Sequence, residues 1–285
     1  MAYMDVAPRN EANGKTIVLF HGKNFCAATW RDSIAALSEA GYRVIAVDQI
    51  GFCKSSKPLN YQFSFHQLAA NTRALLADLG IDQVYILAHS MGGMLATRYA
   101  LLYPDRVKGL LMVNPIGLED WLQKGVPYIA IDTWYQQQLK LNAEAIKRYQ
   151  QSTYYAGQWR DDYDIWVEML AGQFAADRDK SAWLSARIYD MILTQPVVHQ
   201  FKDLQVPAWL FIGAQDNTAV GKGFADEAAR AELGNYRELA AISVSTIPDA
   251  RLQLFPELGH SPHIQSPELF NQALLKALRQ LSSRH

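Results

Sequence analysis

Short, nearly uninterrupted apolar runs alternate with helix-length stretches along residues 16–113. Strands covered on both faces read this way, and regular strand–helix alternation predicts a parallel sheet flanked by helices. The first run is Thr16–Phe20 (TIVLF), followed by a helix over 27–40 that Gly41 stops. A strand at Arg43–Val47, a helix over 65–79 and a strand over 84–87 come next, then a helix over 92–102 and a strand over 108–113. Ser64 with Gln67 three residues later forms a capping-box start for the second helix, and Gly80 supplies its C-terminal stop. Pro104 lies just beyond the third helix.

The rhythm then changes. Residues 117–200 contain no strand-like run but several helical stretches, and five of the seven tryptophans fall there: Trp121, Trp134, Trp159, Trp166 and Trp183. Alternation resumes with strands over 208–212 and 252–255 and closes with a helix over 267–281. The fold class expected is therefore α/β, a mostly parallel central sheet flanked by helices. Residues 1–116 and 201–285 form its core, and 117–200 an inserted helical cap.

Candidate chemistry gathers where strands end. Ala88-His89-Ser90-Met91-Gly92-Gly93 sits between a strand and a helix. On so sharp a turn the serine Oγ is pushed out at the C-terminal edge of the sheet, and small neighbours are needed where helix and backbone pass close. The usual pattern is G-x-S-x-G, and Ala88 adds a methyl group at its first position. A nucleophilic serine needs a base and the base an orienting acid. His260 follows the last strand, and Asp216 follows the strand after the insertion, which gives the chain order Ser, Asp, His. Asp48 is the rival acid, better suited to closing its own loop through backbone N–H groups. His263 fits a pocket wall, His21 a loop-bracing bond, and Asn114 cannot replace a carboxylate. For the oxyanion, the N–H of Met91 is one expected donor; Lys23 N–H is the second, with Asn24 next, in the loop His21-Gly22-Lys23-Asn24.

In these features the chain resembles the α/β-hydrolase superfamily, in its serine-hydrolase, esterase-like branch with a helical cap. Four elements carry the resemblance: His21-Gly22, the D-x-x-G-F-x-x-S segment from Asp48 to Ser55, the elbow at Ser90, and the late Asp216 and His260. It implies acyl transfer to water through an acyl-serine, beneath a cap. Members usually open with two strands before the H-G strand, whereas only fifteen residues precede Thr16. Tyr3–Val6 supplies one, the antiparallel strand. Either the edge strand is absent or the natural chain starts upstream.

The leading expectation is hydrolysis of carboxylic esters of small or medium-sized apolar substrates, with the aromatic-rich insertion forming an apolar pocket with polar rims. Lactone, amide or aminopeptide, and carbon–carbon hydrolysis by the same triad are alternatives; a receptor-like binding module is a further one. Aspartate at position 90 would have signalled a dehalogenase or an epoxide hydrolase. Asp161, Asp162, Asp164 and Glu168 read as a solvated helix face rather than an amine-binding site. Prolyl aminopeptidases of this fold carry H-G-G-P-G and G-G-S-W-G, which are absent here.

Composition narrows the partners. A formal net charge of −1 gives no electrostatic bias towards nucleic acid or anionic membranes, so a small-molecule substrate is expected, without metal or organic cofactor. A homodimer stays open. No apolar run is long enough for a membrane span. The N-terminus lacks a basic start and apolar stretch, which reads as cytoplasmic; a natural start further upstream would permit a periplasmic or secreted protein. Cys26 and Cys53 show neither a metal-ligand spacing nor a disulfide framework, so the redox compartment stays open.

Overall fold

The computed structural model describes residues 1–283. Seven strands build one sheet: β1 (Tyr3–Val6), β2 (Thr16–Phe20), β3 (Arg43–Val47), β4 (Val84–His89), β5 (Val107–Val113), β6 (Ala208–Gly213) and β7 (Ala250–Phe255). Their spatial order is β1-β3-β2-β4-β5-β6-β7. β1 runs antiparallel to β3, and every other pairing is parallel. The single antiparallel strand expected at Tyr3–Val6 is present, at the edge of the sheet.

Alternate residues of the central strands feed two separate cores. Val18, Phe20, Ile86, Ala88, Met112 and Ile212 pack on one face. There they meet α2 (Phe65–Asp78) and α3 (Met91–Leu102), which follow α1 (Arg31–Glu39) in the chain. Ile17, Leu19, Leu87, Leu111, Val113 and Phe211 face the other way, with residues of the C-terminal helix 267–282. All four of Ile17, Val18, Leu19 and Phe20 are fully buried, which is why β2 reads as an unbroken apolar run. The expected cap of α2 is formed: Ser64 Oγ accepts from Gln67 N at 3.0 Å.

Between β5 and β6 the chain is helical, with α4 (Ile131–Gln138), α5 (Ala143–Tyr149), α6 (Asp164–Ala176) and α7 (Arg178–Thr194). A wide turn over Gln150–Tyr154 continues α5 and buries Gln150 and Tyr154. After β6 come α8 (Glu227–Glu232) and α9 (Tyr236–Thr246), neither expected from the sequence pattern, and after β7 come α10 (Pro262–Gln265) and α11 (Pro267–Ser282). Among the described residues no helix is long and apolar enough to cross a membrane.

One expectation is corrected. Cys26 and Cys53 form a disulfide, their Cα atoms 5.9 Å apart. β2 and β3 are parallel neighbours, so the loops that leave them emerge side by side, and the cysteines meet there.

Candidate active site

Every polar residue singled out at a strand end lies at the C-terminal edge of the sheet, because all these strands run the same way. Ser90 caps α3 with φ 56° and ψ −122°, a strained backbone for any residue but glycine. The surroundings over-determine it: Ser90 N donates to Val113 O at 3.1 Å, and Ser90 O accepts from Gly93 N at 2.8 Å and from Ile116 N at 3.2 Å. Small residues are required around it. A Cβ on Gly92 would stand 2.5 Å from Phe20 O, and one on Gly93 would overlap Pro115. Ala88 is fully buried in its strand and the turn still forms, so the extra methyl group is accommodated.

His260 Nδ1 lies 2.6 Å from Asp216 Oδ2, and both side chains are fully buried. The carboxylate only accepts, so Nδ1 carries a proton, and in the neutral ring Nε2 then keeps its lone pair. Among the described residues that Nε2 has no hydrogen-bond partner. Asp216 is held in turn. Its Oδ1 accepts from Thr218 N at 2.9 Å, and its Oδ2 accepts from Asn114 Nδ2 at 2.8 Å. Asn114 also donates to Gly213 O and accepts from Gly213 N, tying β5 to the end of β6. His89, next to Ser90, uses Nε2 to bond His260 O at 2.9 Å, which fastens the histidine loop beside the serine turn.

The loop after β2 comes close from the other side. A Cβ on Gly22 would stand 2.9 Å from Ser90 Cβ, so only glycine lets the Lys23 and Asn24 backbone approach this near. Met91 N–H belongs to the first turn of α3, where no intrahelical acceptor exists. His21 braces this loop: Nδ1 donates to Gly22 O at 2.8 Å and Nε2 accepts from Gln49 N at 3.1 Å. Asp48 accepts from the N–H groups of Ala27 and Lys54. These bonds match the structural parts expected of both residues.

The insertion meets the site through one residue above all. Tyr154 stacks on the His260 ring, centroids 4.9 Å apart, and its hydroxyl accepts from Asn24 Nδ2 at 2.9 Å. Gly259 lies against the same turn, where a Cβ would come 2.6 Å from Tyr154 O. Ser90 retains only 5% of its surface. His263 packs between Trp30 at 4.4 Å and His89 at 4.5 Å, with neither ring nitrogen hydrogen-bonded. Burial pushes His263 down to about 3 and His89 well below the ordinary histidine value. Desolvation likewise brings Lys23 down to about 7. On the outer side of the insertion, Asp162 pairs with Arg160 and Asp164 with Lys147, at partly exposed positions.

Asn114, Tyr154 and His89 were not anticipated as contributors. Asn114 had a readable signal, an amide directly after the apolar run over 110–113. His89 had one too, in its place beside the serine. Tyr154 had none, being one tyrosine among many in the insertion.

A family model for the alpha/beta hydrolase fold matches residues 15–267. A crystal structure of a probable hydrolytic enzyme from Pseudomonas aeruginosa PAO1 is 58% identical, with a TM-score of 0.95 covering 97% of this chain and 88% of that one. The 2-hydroxy-6-oxo-6-phenylhexa-2,4-dienoate hydrolase of Burkholderia cepacia is 26% identical over 275 residues, 93% of this chain and 88% of that protein. Epoxide hydrolase B of Mycobacterium tuberculosis is 33% identical over 105 residues, 36% of this chain, so this chain spans less than a third (30%) of that relative's length. With a match over nearly its full length and the sheet, elbow and strand-end residues described above, the chain belongs to the alpha/beta hydrolase family.

Proposed function

We propose that the chain is a serine hydrolase acting on carboxylic esters of small or medium size, with residues 117–200 serving as a cap over the site. The observation that carries this reading is the buried 2.6 Å bond from His260 Nδ1 to Asp216, which leaves Nε2 without a partner at the edge where Ser90 turns. Ser90 Oγ attacks the ester carbonyl while His260 Nε2 takes its proton. Asp216 fixes the imidazole tautomer and stabilises the imidazolium that forms. The N–H groups of Met91 and of Lys23, or of Asn24 next to it, receive the oxyanion. Collapse expels the alcohol, which takes the proton from His260. Water then attacks the acyl-Ser90 by the same route in reverse, releasing the acid.

Carbon–carbon hydrolysis by the same residues is the second reading, favoured by the near full-length likeness to the Burkholderia cepacia dienoate hydrolase. Epoxide opening is disfavoured, since serine stands where a carboxylate nucleophile would be needed. The discriminating experiment is a panel of activated esters of increasing acyl length, run beside lactones, aminoacyl amides and a vinylogous 1,5-diketone. Ester turnover should fall by on the order of a million-fold in Ser90→Ala. Turnover surviving in that variant, or confined to the diketone, would overturn the esterase reading.

A further inference from the structure

The Lys23 amine has no acidic partner among the described residues. Its Nζ lies part-buried between the loop after β2 and α7, donating to Ser185 Oγ at 2.8 Å and Asn24 Oδ1 at 3.3 Å. The ammonium also sits 3.8 Å from the centroid of the Tyr189 ring. Ser185 spends its own hydrogen on Gln138 Oε1 at 2.7 Å, so it can only accept from the lysine. No carboxylate lies within ion-pair range of Nζ among the described residues. A part-buried ammonium held by neutral acceptors alone lacks the ionic partner that such groups usually have.

Beside it is space. A cavity of about 140 Å³ is bounded by Asn24, Gln138, Gln150, Tyr149 and Tyr189, with Leu170 among its apolar walls. A smaller one of about 40 Å³ touches Lys23, Asn24 and Ser185. Gln150 is 1% exposed, and neither its amide nitrogen nor its oxygen has a partner among the described residues. A buried side-chain amide left wholly unsatisfied is costly unless a guest supplies the partner. The cavity is linked to the edge at Ser90 through Asn24 in its wall, which bonds Tyr154, which stacks on His260.

We infer that these two cavities, which share Asn24 and Leu170 in their walls, together form an acid-binding subsite: the ester cleaved at Ser90 carries a second, free carboxylate on its acyl side, held by the Lys23 ammonium with the Gln150 amide as a further donor. The substrate class is then the half-ester of a dicarboxylic acid, which refines the apolar acyl group expected from the aromatic residues of the insertion. The inference rests on the esterase reading of Ser90. The bound anion supplies the charge the protein omits. Because Lys23 without it titrates near pH 7, anion binding in alkaline solution requires proton uptake. The preference for the charged ester should therefore fade about tenfold per pH unit above that value.

The test compares mono-methyl adipate with methyl hexanoate, matched in acyl carbon count, by titrating the acid released. The expected result is a kcat/KM at least tenfold higher for the adipate half-ester at pH 7, declining towards pH 9. Lys23→Met should bring the ratio of the two substrates to about one, and Gln150→Leu should reduce it severalfold. A ratio near one in the parent protein, with methyl hexanoate turnover that requires Ser90, overturns the subsite and leaves the esterase reading standing. If neither ester is turned over, calorimetry with adipate on Ser90→Ala decides. Adipate binding that Gln150→Leu weakens and Lys23→Met abolishes supports the subsite, and no binding overturns it.

Discussion

Acid sensitivity offers the sharpest check on the packing around the site. His263 stands among Trp30, His89 and Phe270, without a hydrogen bond at either ring nitrogen. Burial, aided by the neighbouring His260, pushes it from 6.5 to about 3. The folded state thus disfavours the proton, while the unfolded chain takes it up as pH falls through the ordinary histidine value. Stability is complete above that value and is lost progressively below it, down to the folded value. Integrated from pH 7.5 to 5.5, one such imidazole costs roughly 1–1.5 kcal/mol. His89 and His21 shift in the same direction, so the parent protein should lose more than this single contribution. Against a typical total of about 5–15 kcal/mol the loss is readily measured. His263→Phe keeps a flat ring in an aromatic slot and breaks no hydrogen bond. Urea unfolding of both proteins at pH 7.5, 6.5 and 5.5 should show the variant losing roughly 1–1.5 kcal/mol less than the parent over that range. Equal slopes would refute the argument, because His263 would then titrate alike in the folded and unfolded chain.

Other outcomes are equally open to measurement. Asn114→Leu removes the bonds to Asp216 and Gly213, and should cost at least about 2 kcal/mol in denaturant unfolding and lower ester turnover more than tenfold. Gly22→Ala forces a Cβ to 2.9 Å from Ser90 Cβ, so kcat should drop at least tenfold while KM changes little, for a stability cost of about 1–3 kcal/mol. Cys26→Ser with Cys53→Ser opens a crosslink spanning 27 residues, which the chain-entropy model values at roughly 3–4 kcal/mol. Dithiothreitol should lower the melting temperature of the parent protein and leave that of the double variant unchanged.

The strands were legible because burial on both faces leaves an apolar run no helix surface would tolerate. Their ends shifted by only a residue or two, as with β5, which starts at Val107. α9 was not legible: its buried residues, Tyr236, Leu239, Ala240 and Ser243, include small and polar side chains that blur the helical period. That Ser90, Asp216 and His260 would share one edge could be read because each follows a strand, and parallel strands deliver their ends to one edge. The supports of that edge could not. Tyr154 reaches His260 from the insertion, and Lys23 finds Ser185 across 162 residues of sequence. The Lys23 backbone was placed from the loop motif, but nothing in the motif says where its ammonium goes. The disulfide was hidden for the same reason, since two cysteines become neighbours only once β2 and β3 are known to lie side by side.

The backbone at Ser90, with φ 56°, sets this position against the rest of the molecule in any attempt to improve it. Holding a serine there costs of order 1–3 kcal/mol that glycine would not. A library screened for thermal tolerance alone should therefore enrich glycine at position 90, and its best survivors would lack the hydroxyl that the proposed mechanism uses. Selection for durability and selection for turnover pull this single codon in opposite directions. A campaign to harden the protein would have to hold residue 90 fixed and draw its gains from the outer faces of the helices.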